Sequence, residues 1–141
     1  MKSLTGLLVA FIAWGSVSQT SQAAQPQEGP SGFRDYKGQH YRVVNKTSYR
    51  VVDTAEFYLY SYNKLVQGEK IARPTTVYYF SAGANGPIQP LTIFNLEKTF
   101  SQNRAFCYRL HTDFSSDKDL MTYIPSLKTY KIKYAYGQSV K

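Results

Sequence analysis

Asn103, Cys107 and His111 are spaced four residues apart, so a helix would stack an amide, a thiol and an imidazole along one side. These are the residue types of a cysteine hydrolase. Such a site also needs its base in line with the nucleophile and an oxyanion hole facing the substrate, geometry normally assembled from separate elements. Cys107 and His111 could instead give two ligands to a soft metal, but a structural zinc site wants four, and His40 is the only other histidine. A buried thiol beside a surface histidine is the simpler expectation. No catalytic residue, metal ligand or cofactor follows from this set.

Asp113, Asp117 and Asp119 form an acidic cluster, yet their spacing lacks the Asp/Asn ladder, central glycine and terminal Glu of an EF-hand loop. Acids at helix N-termini, opposing the macrodipole, explain Asp117 and Asp119 equally well. Glu56, Glu69 and Glu97 fall on different expected elements, so no glycosidase pair can be argued from them. Phosphate-loop, dinucleotide-fold, nucleophile-elbow and zincin patterns are absent from the chain. Asn45-Lys46-Thr47 is a glycosylation sequon in an expected turn.

The remaining chemical signal is collective. Tyr58, Tyr60, Tyr62, Tyr78 and Tyr79 fall on neighbouring expected strands, with Arg42 and Arg50 in the adjoining hairpin. Aromatics and arginine are enriched at binding surfaces, and an aromatic strand face can stack on sugars or nucleobases. Tyr58, Tyr60, Tyr62, Tyr78, Arg42 and Arg50 are therefore the candidate binding residues. The competing expectation is cross-strand packing, because 13 tyrosines in a small domain must be placed somewhere.

The elements that position these residues divide the chain in two. Tyr41-Arg42-Val43-Val44 recurs as Tyr49-Arg50-Val51-Val52 across the polar Asn45 to Ser48, which predicts a hairpin. Alternation over Glu56 to Tyr62 puts Phe57 and Leu59 on a core face and Tyr58, Tyr60 and Tyr62 on the other. Thr75 to Ala82 gives a further strand, Gly83 to Gly86 a turn, and Pro87 and Pro90 confine what lies between them to an edge strand or connection.

After Leu91 the hydrophobic period lengthens from two towards 3.6. Thr92 reads as an N-cap, with Leu91 and Leu96 in staple positions, for a helix ending near Gln102. Asn103 caps a second helix carrying Phe106, Leu110 and Phe114. Ser116-Asp117-Lys118-Asp119 resembles a capping box, and Pro125 interrupts the run. Residues 127 to 136 fit both periods and are read as helix. The fold class is α+β: N-terminal antiparallel hairpins or a meander (39–91), then a short-helix half (92–136), in one small domain over 33–141.

A chain of 141 residues has no room for a doubly wound nucleotide-binding sheet plus a substrate domain, or for an eightfold barrel. With 43% apolar and 18% charged residues it can bury a core. Met1-Lys2, the apolar run Leu4 to Gly15 and small residues at Ser21 and Ala23 read as a secretory signal peptide cleaved near Ala23. About 12 apolar residues span only ~18 Å of a ~30 Å hydrocarbon core, too little for an anchor. Residues 24–32, rich in Pro, Gly and Gln, read as a flexible leader. Removing 1–23 takes away one cation, leaving the charge one unit below the +8 of the whole chain, a balance suited to anionic partners. Cys107 is the only cysteine, so no internal disulfide can form.

The stretch from Tyr78-Tyr79-Phe80 through Pro90-Leu91-Thr92-Ile93, Phe100 and Ser116-Asp117-Lys118-Asp119-Leu120 to Tyr130-Lys131 resembles small exported bacterial proteins to which no activity is assigned. The resemblance implies export, this order of elements and a helical tail, and it supplies no site. The expectation is a secreted or periplasmic, non-enzymatic binding module for an envelope or extracellular protein or an anionic polymer, with no genomic nucleic-acid partner. The alternatives are a small secreted hydrolase or toxin using His40 or His111, and a self-associating structural envelope component.

Overall fold

A computed structural model describes residues 32–66 and 73–141. The expected signal peptide, the leader up to residue 31 and Glu69 lie outside the described residues.

The first half is a six-stranded antiparallel meander in which every strand pairs with its neighbour in sequence. Its strands are β1 (Gly32–Arg34), β2 (His40–Val44), β3 (Thr47–Asp53), β4 (Tyr58–Leu65), β5 (Pro74–Ser81) and β6 (Gln89–Pro90). Gly32 thus belongs to the sheet and not to the leader. Asn45 and Lys46, both at positive φ, make the β2–β3 turn alone, so Thr47 and Ser48 join β3. A two-residue loop with both residues at positive φ matches the twist of the strands it joins, which is why the polar run is shorter as a turn than as a sequence. The register sets Tyr41 opposite Arg50 and Arg42 opposite Tyr49. A bulge lies between Val51 and Asp53 where β3 meets β4. Pro90 sits on the two-residue outer strand, where its missing N–H costs no ladder bond.

The second half supplies α1 (Ile93–Thr99), α2 (Arg104–Thr112) and α3 (Lys131–Ser139), with a small hairpin of β7 (Tyr123–Ile124) and β8 (Thr129–Tyr130) before α3. The chain is α+β, the sheet coming from the N-terminal half and the helices from the C-terminal half. The Thr92 side chain accepts from the Asn95 N–H at 3.1 Å, and that of Asn103 from the Phe106 N–H at 3.0 Å, so each of the first two helices has its expected cap.

Two local expectations are corrected. Ser116 makes no side-chain cap bond, and Asp117–Met121 is a 3-10 turn. Asp117 instead accepts from the Ile93 N–H at 2.7 Å, placing its charge at the first turn of α1, while Asp119 accepts from both the backbone N–H and the hydroxyl of Ser115. Those two bonds, the hydroxyl first, hold the Asp119 carboxyl below its usual range. Leu127 ends a 3-10 turn (Pro125–Leu127) and residues 128 to 130 are not helical: Lys128 at φ 50 reverses the chain, Thr129 and Tyr130 pair with β7, and the α-helix starts at Lys131. The mixed periodicity was real, a strand handing over to a helix within ten residues.

The core lies between one sheet face and the helices. Leu59 and Phe80 from the sheet and Phe57 from the β3–β4 connection meet Leu96, Phe106, Leu110, Leu120 and Ile132, all fully buried. Burial at ~1.5–3 kcal/mol per large apolar side chain makes this contact the main source of cohesion. Phe100 and Tyr136 close it with tilted and edge contacts to Phe57 at 5.4 Å. Lys133 is buried as well, at 3% exposure. Its ammonium donates to the Ala55 and Phe57 carbonyls, lies 3.6 Å from Asp53 and sits 4.0 Å over the Phe57 ring. That contact ties α3 to the β3–β4 connection.

Candidate binding site on the open face of the sheet

Strand alternation and register decide which side chains share a face. Tyr60 pairs with Tyr79 and with Val51, and Arg42 with Tyr49, so these occupy the face opposite the helices together with Tyr58 and Tyr62. Arg50 pairs with Ser61, and Ser61 with Tyr78, so these three share the helix-bearing face. The six sequence candidates are therefore divided. Arg42, Tyr58 and Tyr60 line one cleft, and Arg50, Tyr62 and Tyr78 border a separate hollow.

The expected tyrosine ladder is also not uniform. Tyr60, its middle rung, is fully buried, enclosed by Tyr58 at 6.2 Å, Tyr49 at 6.4 Å and the Arg42 guanidinium at 5.8 Å. Tyr49 is the hub, with further ring contacts to Tyr62 at 5.9 Å and Tyr79 at 5.1 Å. Each such pair adds about 0.5–1.5 kcal/mol beyond its area, so this face carries a small aromatic core of its own. Burial, with the Tyr49 and Tyr62 phenols, pushes the Tyr79 hydroxyl above its usual pKa. Tyr49 was absent from the sequence candidates, although the Tyr-Arg echo around an even-length turn points to it.

Arg42 organises the cleft. It donates to the Tyr60 hydroxyl at 3.0 Å, to the Ser81 hydroxyl at 3.2 Å and to the Gly86 carbonyl at 2.7 Å. Tyr60 and Ser81 hydroxyls are themselves 2.9 Å apart, and Ser81 donates to the Gly83 carbonyl at 2.7 Å. Every one of these acceptors is uncharged, and no carboxylate among the described residues forms an ion pair with Arg42. Three of its five N–H donors are used, which fixes the guanidinium while leaving its charge unbalanced.

The cleft beside it has a volume of about 940 Å3 and is lined further by Arg34, His40 and Tyr58. Asp53 is the single acid on its wall. That carboxylate is already engaged, accepting from the Ala55 N–H at 2.8 Å and lying beside Lys133. The cleft therefore offers cationic and aromatic groups without a free counter-charge. Ser81 and Gly86 escaped the sequence reading because they meet Arg42 across 39 and 44 residues.

The other sequence constellations are taken apart by the fold. Asn103 spends its side chain on the α2 cap and on the Ser139 hydroxyl at 2.9 Å. The Cys107 thiol points to the Phe100 carbonyl at 3.5 Å, and burial, reinforced by Glu97, pushes its pKa up and away from thiolate chemistry. His111 contacts Glu97 at 3.2 Å. Asp113 pairs with Arg109 at 3.1 Å. Among the described residues no group of three His, Cys, Asp or Glu side chains could hold a metal ion, and no helix is long and apolar enough to cross a membrane. Comparison with protein-family models, with curated proteins and with solved structures finds no match.

Proposed function

We propose that the chain is an exported, non-enzymatic binding module that holds an anionic envelope or extracellular polymer in the cleft beside Arg42. The observation that carries this reading is the Arg42 guanidinium, held by three neutral acceptors with no carboxylate paired to it. A fixed, uncompensated cation attracts an anion without the entropy cost of ordering a long side chain, Arg34 adds a second cation to the rim, and His40 lines it with an N–H donor. Tyr58 supplies the ring surface. Export rests on the sequence features of residues 1–23.

The test is titration of the chain with a polyuronate and with the neutral polymer of the same backbone, in the natural sequence and in an Arg34→Ala/His40→Ala variant. Arg42 itself is the wrong residue to remove, because it joins three separate segments. The polyuronate alone should bind, and the double variant should lose about tenfold in affinity, a change of ~1.4 kcal/mol. Equal binding of the neutral polymer, or an unaffected variant, would overturn the proposal.

A further inference from the structure

The second hollow, of about 490 Å3, lies on the helix-bearing face of the sheet and shares only Tyr41 with the Arg42 cleft. Its polar groups are committed in an unusual way. Arg50 donates through Nε to the Ser61 hydroxyl at 3.1 Å and through one terminal nitrogen to Gln39 Oε1 at 3.2 Å. Thr76 donates to Asn63 Oδ1 at 3.1 Å. In both amides the oxygen accepts one bond and the nitrogen donates none among the described residues. Gln39 Nε2, Asn63 Nδ2 and the second terminal nitrogen of Arg50 have no partner among the described residues. Ser61, only 5% exposed, accepts from Arg50 and keeps its own proton undirected.

No carboxylate lines this hollow. One cation beside two free amide N–H groups, with hydroxyls able to donate and no carboxylate, disfavours a cation and fits a single oxyanion. One arginine balances one negative charge, so a carboxylate matches it better than a phosphate dianion. The rings of Tyr41 and Tyr78 border the same space and offer flat apolar surface to the C–H face of a pyranose. We infer that this hollow is a second binding site, separate from the Arg42 cleft, and that it takes the carboxylate of a sugar acid.

The experiment is an NMR titration of the full chain with galacturonate, galactose and acetate, following the side-chain N–H signals of Gln39, Arg50 and Asn63. Galacturonate should shift all three, with at least tenfold tighter binding than either control. Asn63→Asp keeps the Thr76 acceptor but exchanges the free donors for a negative charge, at an exposed position, and should abolish the shifts while the rest of the spectrum is unchanged. Arg34→Ala should leave them intact, which separates this site from the Arg42 cleft. Absence of shifts, galactose binding as tightly, or an Asn63→Asp chain that binds normally would overturn the inference. Acetate binding as tightly as galacturonate would overturn its sugar component.

Discussion

Lys46 adopts φ 65 because the β2–β3 loop has room for two residues only, and a side chain with a Cβ is disfavoured there. Asn45, at φ 49, tolerates the same region through its short polar side chain. Replacing Lys46 by glycine removes the steric cost of the left-handed conformation, partly offset by the greater freedom of glycine in the unfolded chain. Lys46→Gly should stabilise the protein by about 0.5–1 kcal/mol, seen as a higher urea midpoint at unchanged m-value. An unchanged or lower midpoint would mean that the strands, not the turn, set the register. The same loop shows what was legible at this scale. An even number of loop residues necessarily puts Arg42 and Arg50 on opposite faces, since cross-strand partners share a face. Grouping the two arginines overlooked that parity. The partners of Arg42 at Ser81 and Gly86 were beyond any local pattern.

At the scale of elements, periodicity exposed the strands and the first two helices because their core sides are clean: Leu59 and Phe80 alternate with tyrosines, and Phe106 and Leu110 repeat at helical spacing. It was ambiguous at residues 127–136, where a two-residue strand and a helix share one window. It gave no sign that α3 buries a lysine. Desolvation lowers the Lys133 pKa to about 8, with Asp53 and Glu56 opposing the shift. Between that value and the ordinary 10.5, the unfolded chain holds a proton that the folded chain has released. Stability contributed by this group therefore rises with pH across the window, and below about 8 the burial cost is felt in full. The gain should be on the order of 2 kcal/mol after discounting for residual solvent access. Tyr79 and Tyr130, whose hydroxyls are pushed above 10.0 by burial, act in the opposite direction only beyond that value. Urea titrations at pH 7.5 and 9.5 should show the rise in the natural chain and lose it in Lys133→Met. A Lys133→Met chain with the same pH slope would assign the effect to other groups.

Over the whole molecule, positive charge is in excess on both halves: the described sheet residues carry seven Lys or Arg against Asp35, Asp53 and Glu56, and the helical residues eight against four acids. Asp113, Asp117, Asp119 and Glu97 lie in the helical half, and each has a partner there. On the sheet, Arg34 and Arg42 line the cleft among tyrosines, and neither forms an ion pair with a carboxylate among the described residues. Composition revealed the net charge but not which cations lack a paired acid, because pairing depends on contacts that only the folded chain makes. The polymer binding proposed for the cleft should weaken as salt rises, with the logarithm of affinity falling linearly against the logarithm of salt and a slope of about −1 to −2 for the two arginines involved. Salt-independent binding would place the contact on the apolar rings instead.

The Lys133 contact also governs when the protein becomes compact during synthesis. Its ammonium reaches a carbonyl 76 residues earlier in the chain, whereas each strand pairs with the one made just before it. At ribosomal rates of about 5–20 residues per second, the β4 strand therefore waits ~4–15 s for the residue that ties α3 over it. During that interval Leu59 and Phe80 have sheet partners but no helical cover. The newly made chain is a sticky, half-finished layer for several seconds, long enough for a chaperone to hold it before the helices arrive.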